Sequence, residues 1–177
     1  MHNRPALITR PLSEADVERL LELNHAAVPA VNDIGADELR TLLGQSRVAV
    51  GVTDAHADPA HPEALLGFVL ALPPGADYAS ENYRWFSQRG DRFLYVDRIV
   101  VADGRRGAGI GQLLYDAVFE AAAADGATEV DCEVNVEPPN PGSLVFHGRL
   151  GFVEVGRQAT KGGSVVVALL ARPAAIG

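Results

Sequence analysis

Two periodicities alternate along the chain. Residues 6–9, 47–54, 64–73, 93–101, 129–136, 152–158 and 164–172 are short stretches in which apolar residues run together or alternate with polar ones, and they read as strands. Residues 14–24, 37–43, 110–124 and 143–149 carry apolar positions at helical spacing instead. Ser13 stands where the first of these helices needs a cap. In the third, Ile110, Leu113, Leu114, Ala117, Val118 and Ala121 predict one buried face, with Gln112, Asp116 and Glu120 toward water and Gly126 as the stop. A polar stretch, residues 54–63, joins two of the strands as a hairpin. The order of elements predicts an α/β fold built on a mixed sheet.

Composition narrows the class. With 177 residues, 47% of them apolar, the chain is expected to form a single domain over residues 1–177 with a sizeable core. There is no internal repeat and no linker-like tract. The net charge of −8 argues against a general nucleic-acid binder. One cysteine, Cys132, excludes an intramolecular disulfide framework. The N-terminal stretch has no apolar signal region, and no segment is long and apolar enough to span a bilayer. The expectation is a cytoplasmic protein with neither a membrane nor a nucleic-acid partner.

Candidate chemistry enters at the junction between residues 93–101 and 110–124. Gly107, Gly109 and Gly111 strip side chains from the point where backbone N–H groups at a helix start stand open. Such a loop binds pyrophosphate through the helix dipole and hydrogen bonds, and Arg105 and Arg106 add positive charge. A Walker A loop is excluded, because no Lys-Ser/Thr pair follows the glycines. A dinucleotide fingerprint would need glycine where Gln112 or Leu114 stands. Glycine spacing alone leaves a ligand-free tight turn as the alternative.

Two motifs then bring in a family. Arg106-Gly107-Ala108-Gly109-Ile110-Gly111 resembles the R/Q-x-x-G-x-G/A signature of the GNAT superfamily of acyl-CoA-dependent N-acyltransferases, and it follows Ile99-Val100-Val101 as that family's loop follows its strand. Downstream, the run from Asn140 through Ser143, Phe146 and His147 to Gly151-Phe152 resembles the family's N-x-x-A/S-x-x-F/L-Y-x-x-x-G-F segment. Together they cover residues 93–152, and the pattern is similar to a less characterised bacterial subgroup. The resemblance implies a mixed sheet flanked by helices, with central strands 93–101 and 129–136 splayed around the pantetheine arm. Acetyl-CoA would be the co-substrate, and no metal is implied. Backbone groups of Ile99, Val100 and Val101 would meet the arm. Arg106, Gly107, Ala108, Gly109, Ile110, Gly111 and Gln112 would hold the pyrophosphate, with Asn140 and Ser143 bordering the cofactor. Read without the family, Asn140 is equally a turn initiator before Pro141.

The implied reaction transfers an acetyl group to a primary amine of a small molecule or peptide by direct attack in a ternary complex. An amine is protonated near neutrality, so a base is required, and the leaving thiolate can use an acid. Glu133 matches a glutamate that the family often places on its fifth strand, and Asp97 an acidic position on the fourth. Strand alternation puts Asp97 with Ile99 and Val101, and Glu133 with Asp131 and Asn135. His147 stands where the family usually has its acidic tyrosine. An imidazolium, with a reference pKa of about 6.5, can protonate a thiolate, or the ring can simply wall the cofactor. The missing tyrosine also admits a non-catalytic acyl-CoA-binding or sensor domain. For the acceptor, Tyr83, Trp85 and Phe86, close to Asp77, Tyr78 and Glu81, suggest an aromatic and acidic wall, with Asn24 opposite. His56, Asp58 and His61 match no metal spacing. The terminal strand pair offers an edge that could build a homodimer.

Overall fold

The computed structural model describes residues 6–58 and 61–175; the first five residues, positions 59–60 of the predicted hairpin and the last two residues lie outside it. Seven strands appear: β1 (Leu7–Pro11), β2 (Val48–Asp54), β3 (Leu65–Leu72), β4 (Phe93–Val101), β5 (Glu129–Glu137), β6 (Val153–Thr160) and β7 (Val165–Pro173). They form one mixed sheet in the order β1-β2-β3-β4-β5-β7-β6. The helices are α1 (Val17–Ala27), α2 (Ala36–Gln45), α3 (Glu81–Ser87), α4 (Ile110–Ala124) and α5 (Pro141–Arg149). β4 and β5 are parallel, and their register runs from Phe93↔Glu129 to Tyr95↔Asp131, a short pairing for two nine-residue strands. β5 meanwhile stays paired with β7 as far as Glu137↔Val166. This is the mixed sheet the element order predicts, with the splayed central strands that the family resemblance implies.

Backbone contacts divide the chain into two compact units, Met1–Ala71 with Arg98–Val118, and Leu72–Asp97 with Phe119–Gly177. In the first, Leu20, Leu39, Val52, Leu65 and Phe68 are almost wholly removed from water and form the core between β1–β3 and the two N-terminal helices. The end of β4 lies so close to β3 that a methyl on Gly67 would stand 2.7 Å from the Val100 carbonyl oxygen. The Ala102 N–H, which donates to the Leu66 carbonyl at 2.8 Å, extends this contact into the loop. Asn24 is fully buried here. Its side chain donates to the Asn32 carbonyl at 2.9 Å and accepts from the buried Arg98 guanidinium at 2.7 Å, so it ties the segment after α1 to β4.

The second unit carries β5, β7 and β6 with α3 and α5. α3 is an element the periodicity does not predict. Ser80 starts it, accepting from the Tyr83 N–H, and two turns suffice to bury Tyr83 and Phe86. Tyr83 meets Tyr78, Phe93 and Tyr95 edge-on at ring distances of 5.8, 5.8 and 5.4 Å, a geometry that aligns ring edges with ring faces. Its hydroxyl donates to the Pro73 carbonyl at 2.6 Å and accepts from the Ala76 N–H at 2.9 Å, pinning the loop that leads into the helix. Trp85 packs over Gly156 of β6, where an added methyl would lie 2.7 Å from the indole.

Candidate active site

The glycine loop lies in the first unit. Gly104, Gly107 and Gly109 have φ of 73°, 79° and 88°, the left-handed region that side chains avoid. A methyl built on any of the three would meet nothing within 4 Å, so the loop faces open space. α4 then begins at Ile110 and runs for 15 residues, and its first N–H groups lack intrahelical acceptors. Arg105 and Arg106 are exposed beside it. Open backbone at a helix start beside two exposed arginines fits a pyrophosphate. Val100 and Ile110 are buried, so any ligand contact they make is through the backbone, while Ile99 and Val101 are half-buried on the alternate positions. Ala108, Gly111 and Gln112 complete the run; the Gln112 amide donates to Asp116 at 2.8 Å on the exposed side of α4.

The two candidate carboxylates lie in the second unit, and each is held by a tyrosine. The Tyr95 hydroxyl donates to Glu133 Oε2 at 2.7 Å, and the Tyr78 hydroxyl to Asp97 Oδ1 at 2.5 Å. Asp97 and Glu133 are both half-buried, so both carboxylates remain reachable from solvent. Tyr95 is fully buried. Burial first, then the charges of Glu133 and Asp97, push its phenol well above the ordinary value, so it remains a proton donor near neutrality. The sequence reading places Tyr78 only beside the acceptor wall and does not single out Tyr95, and it gives neither a carboxylate partner. Tyr95 had a signal, since alternation along β4 places it on the face of Asp97. The pairing of Tyr78 with Asp97 had none, because the two lie 19 residues apart and only the fold brings them together.

Two residues beside Glu133, Asp131 is fully buried, and both of its carboxyl oxygens lack a hydrogen-bond partner. Loss of water raises its pKa to about 8, with the Glu129 charge adding to the effect and Arg89 opposing it.

α5 places the downstream motif. Asn140 caps it, accepting from the Ser143 N–H at 3.3 Å, with Pro141 at its first turn, so the turn-initiator role is realised whatever else Asn140 does. His147 is buried, with its ring against Phe146 and Phe152 at 5.2 and 5.4 Å. Its Nδ1 lies 2.8 Å from the Ser143 carbonyl, which can only accept, so the proton sits on Nδ1. Burial pushes the imidazole below its ordinary value, and the bond to that carbonyl opposes the shift only in part. The imidazolium form is therefore disfavoured at neutral pH.

The expected acceptor wall is rearranged. Asn24, Tyr83 and Phe86 are buried and serve the framework, because each side chain is enclosed by its own packing or hydrogen bonds. Trp85 is half-exposed beside Glu81, Arg84 and Gln158 on the α3–β6 surface. Among the described residues, no group of three or more His, Cys, Asp or Glu is placed to hold a metal ion, and no helix is long and apolar enough to cross a membrane.

A short parallel pair in a mixed sheet and a glycine loop opening a long helix are the features the resemblance to acyltransferases implies. The family model for the acetyltransferase (GNAT) family matches residues 42–152, and the chain belongs to that family. Among solved structures it is similar to Arabidopsis thaliana NAA60 in complex with acetyl-CoA, at 19% identity and a TM-score of 0.75, covering 95% of this chain and 99% of that one. Ard1 from Thermoplasma volcanium matches at 16% identity and a TM-score of 0.74, with 95% and 97% covered. The ribosomal-protein-S18-alanine N-acetyltransferase from Escherichia coli matches at 13% identity and 0.69, with 97% and 96% covered. No curated protein matches in sequence.

Proposed function

We propose that this acetyltransferase moves the acetyl group of acetyl-CoA to a primary amine of a small molecule or peptide, by direct attack in a ternary complex. The observation that carries the reading is the Tyr95–Glu133 pair, a half-buried carboxylate held at 2.7 Å by a buried hydroxyl in a chain of this family. When bound, acetyl-CoA supplies a thioester carbonyl open to attack by an amine. Arg106 to Gln112 would hold its pyrophosphate at the start of α4, and the backbone of Ile99 to Val101, with Asn140 and Ser143, would line its arm. The amine arrives protonated, and Glu133 takes that proton directly or through a water. Asp97 adds negative charge that attracts the ammonium. His147, neutral and enclosed, is assigned to the cofactor wall, and the thiolate takes its proton from solvent. A peptide acceptor draws support from the similar fold of an enzyme named for the alanine of a ribosomal protein.

The test is thiol release from acetyl-CoA across a panel of amines and short peptides with unblocked N-termini. Glu133→Gln is expected to lower turnover by about 10²–10⁴-fold while acetyl-CoA binding persists, with a smaller loss in Asp97→Asn. The reverse ranking would move the base to Asp97. Tight acetyl-CoA binding without thiol release for any acceptor would replace the enzyme with an acyl-CoA sensor.

A further inference from the structure

The two tyrosine–carboxylate bonds are not equivalent. Tyr78 is half-buried on a loop, whereas Tyr95 is rooted in β4 and wholly enclosed. Tyr83 packs against its ring at 5.4 Å and Phe86 at 5.8 Å, so the ring has no room to swing, and the hydroxyl position is set by the strand. Burial and the neighbouring carboxylates push the phenol up, so near neutrality its hydroxyl is a donor to Glu133. A donor fixed at 2.7 Å restricts the rotamers of a long glutamate and favours its ionised form. We propose that Tyr95 is the positioning residue of the base: its buried hydroxyl fixes the orientation of the Glu133 carboxylate and keeps that carboxylate a proton acceptor. This rests on acetyl transfer with Glu133 as base. Tyr95 of β4 bonds Glu133, and Asp97, whose charge also reaches Tyr95, is bonded to Tyr78; alternation places Asp131 and Asn135 on the same face of β5 as Glu133. β7 contributes the neutral Leu169 opposite it.

Tyr95→Phe removes one oxygen and leaves the ring contacts in place. Initial rates are measured against pH with acetyl-CoA and a turned-over amine, and the Glu133 carboxyl is titrated in parallel by carbon NMR. The expected result is a kcat loss of about ten-fold, with the KM for acetyl-CoA changed less than about two-fold. The acidic limb and the NMR midpoint should both move up by about one pH unit, because an ionised carboxylate has lost a donor. Tyr95→Phe added to Glu133→Gln should cost nothing further, since the hydroxyl acts through the carboxylate. An unmoved limb and midpoint, or additive losses in the double variant, would overturn the assignment. Should Tyr95→Phe fold poorly by thermal melting, fluorotyrosine placed at Tyr95, which keeps the ring and hydroxyl but makes the phenol a stronger donor, must move the acidic limb and the NMR midpoint down. If no amine is turned over, the acetyl-transfer reading fails, while the NMR midpoint still decides whether Tyr95 controls Glu133.

Discussion

At the scale of single residues, the second unit holds an expensive carboxyl and a quiet histidine. Asp131 takes up a proton at about pH 8 in the folded protein, and near the usual 3.9 once unfolded. Between those values the unfolded chain has released a proton that the folded chain keeps, so stability falls as pH rises and levels off above both. Asp131→Asn should therefore melt higher than wild type at about pH 8 and flatten the slope between roughly pH 5 and 8. Parallel melting curves for the two proteins would refute this. His147 works in the opposite sense. Its folded pKa is depressed, so the unfolded chain gains the proton first and stability is lost as pH falls below about 6.5. Because its neutral form dominates, His147→Phe should leave the shape of the pH–rate profile above neutrality as it is in wild type. A wild-type rate that falls with rising pH, and no longer does so in the variant, would return the proton-donor role to the imidazole.

At the scale of elements, the close approach of β3 to the end of β4 is the feature most sensitive to added volume. The atom that would oppose a methyl on Gly67 is a backbone oxygen at 2.7 Å, with the Ile110 side chain at 2.9 Å behind it, and neither can rotate away cheaply. Gly67→Ala should destabilise by about 1–3 kcal/mol in urea unfolding, and a neutral result would mean that the strands part easily there. α4 illustrates how far periodicity reaches. Its predicted stripe is right at Ile110, Leu114 and Val118, but Tyr115 and Ala122 are also buried, while Leu113 is half-exposed. Hydrophobic spacing locates a face to within about one position, and the neighbouring layer decides its edges. α3 was illegible for a different reason. Seven residues give too few turns for a helical period to stand out, and the aromatic residues among them suit strand, loop and helix alike.

At the scale of the whole molecule, ligand linkage is the broadest test. Acetyl-CoA at about 100 times its Kd should stabilise the protein by about 2.7 kcal/mol, read as a rise in Tm. Gly109→Asp should abolish that rise by placing a carboxylate where the pyrophosphate is expected, and an undiminished shift would relocate the cofactor loop. The sequence by itself determined the seven strands, four of the five helices and the glycine loop, because these depend on residues within a few positions of one another. It also determined which residue types were available for acid–base chemistry. Only the tertiary structure decided their environments. Asn24, Tyr83 and Phe86 became framework, His147 became an enclosed neutral ring, and Tyr78 and Tyr95 acquired carboxylate partners 19 and 38 residues away. Burial and partner choice are set by segments distant in sequence, and local periodicity carries no record of which distant segment will arrive.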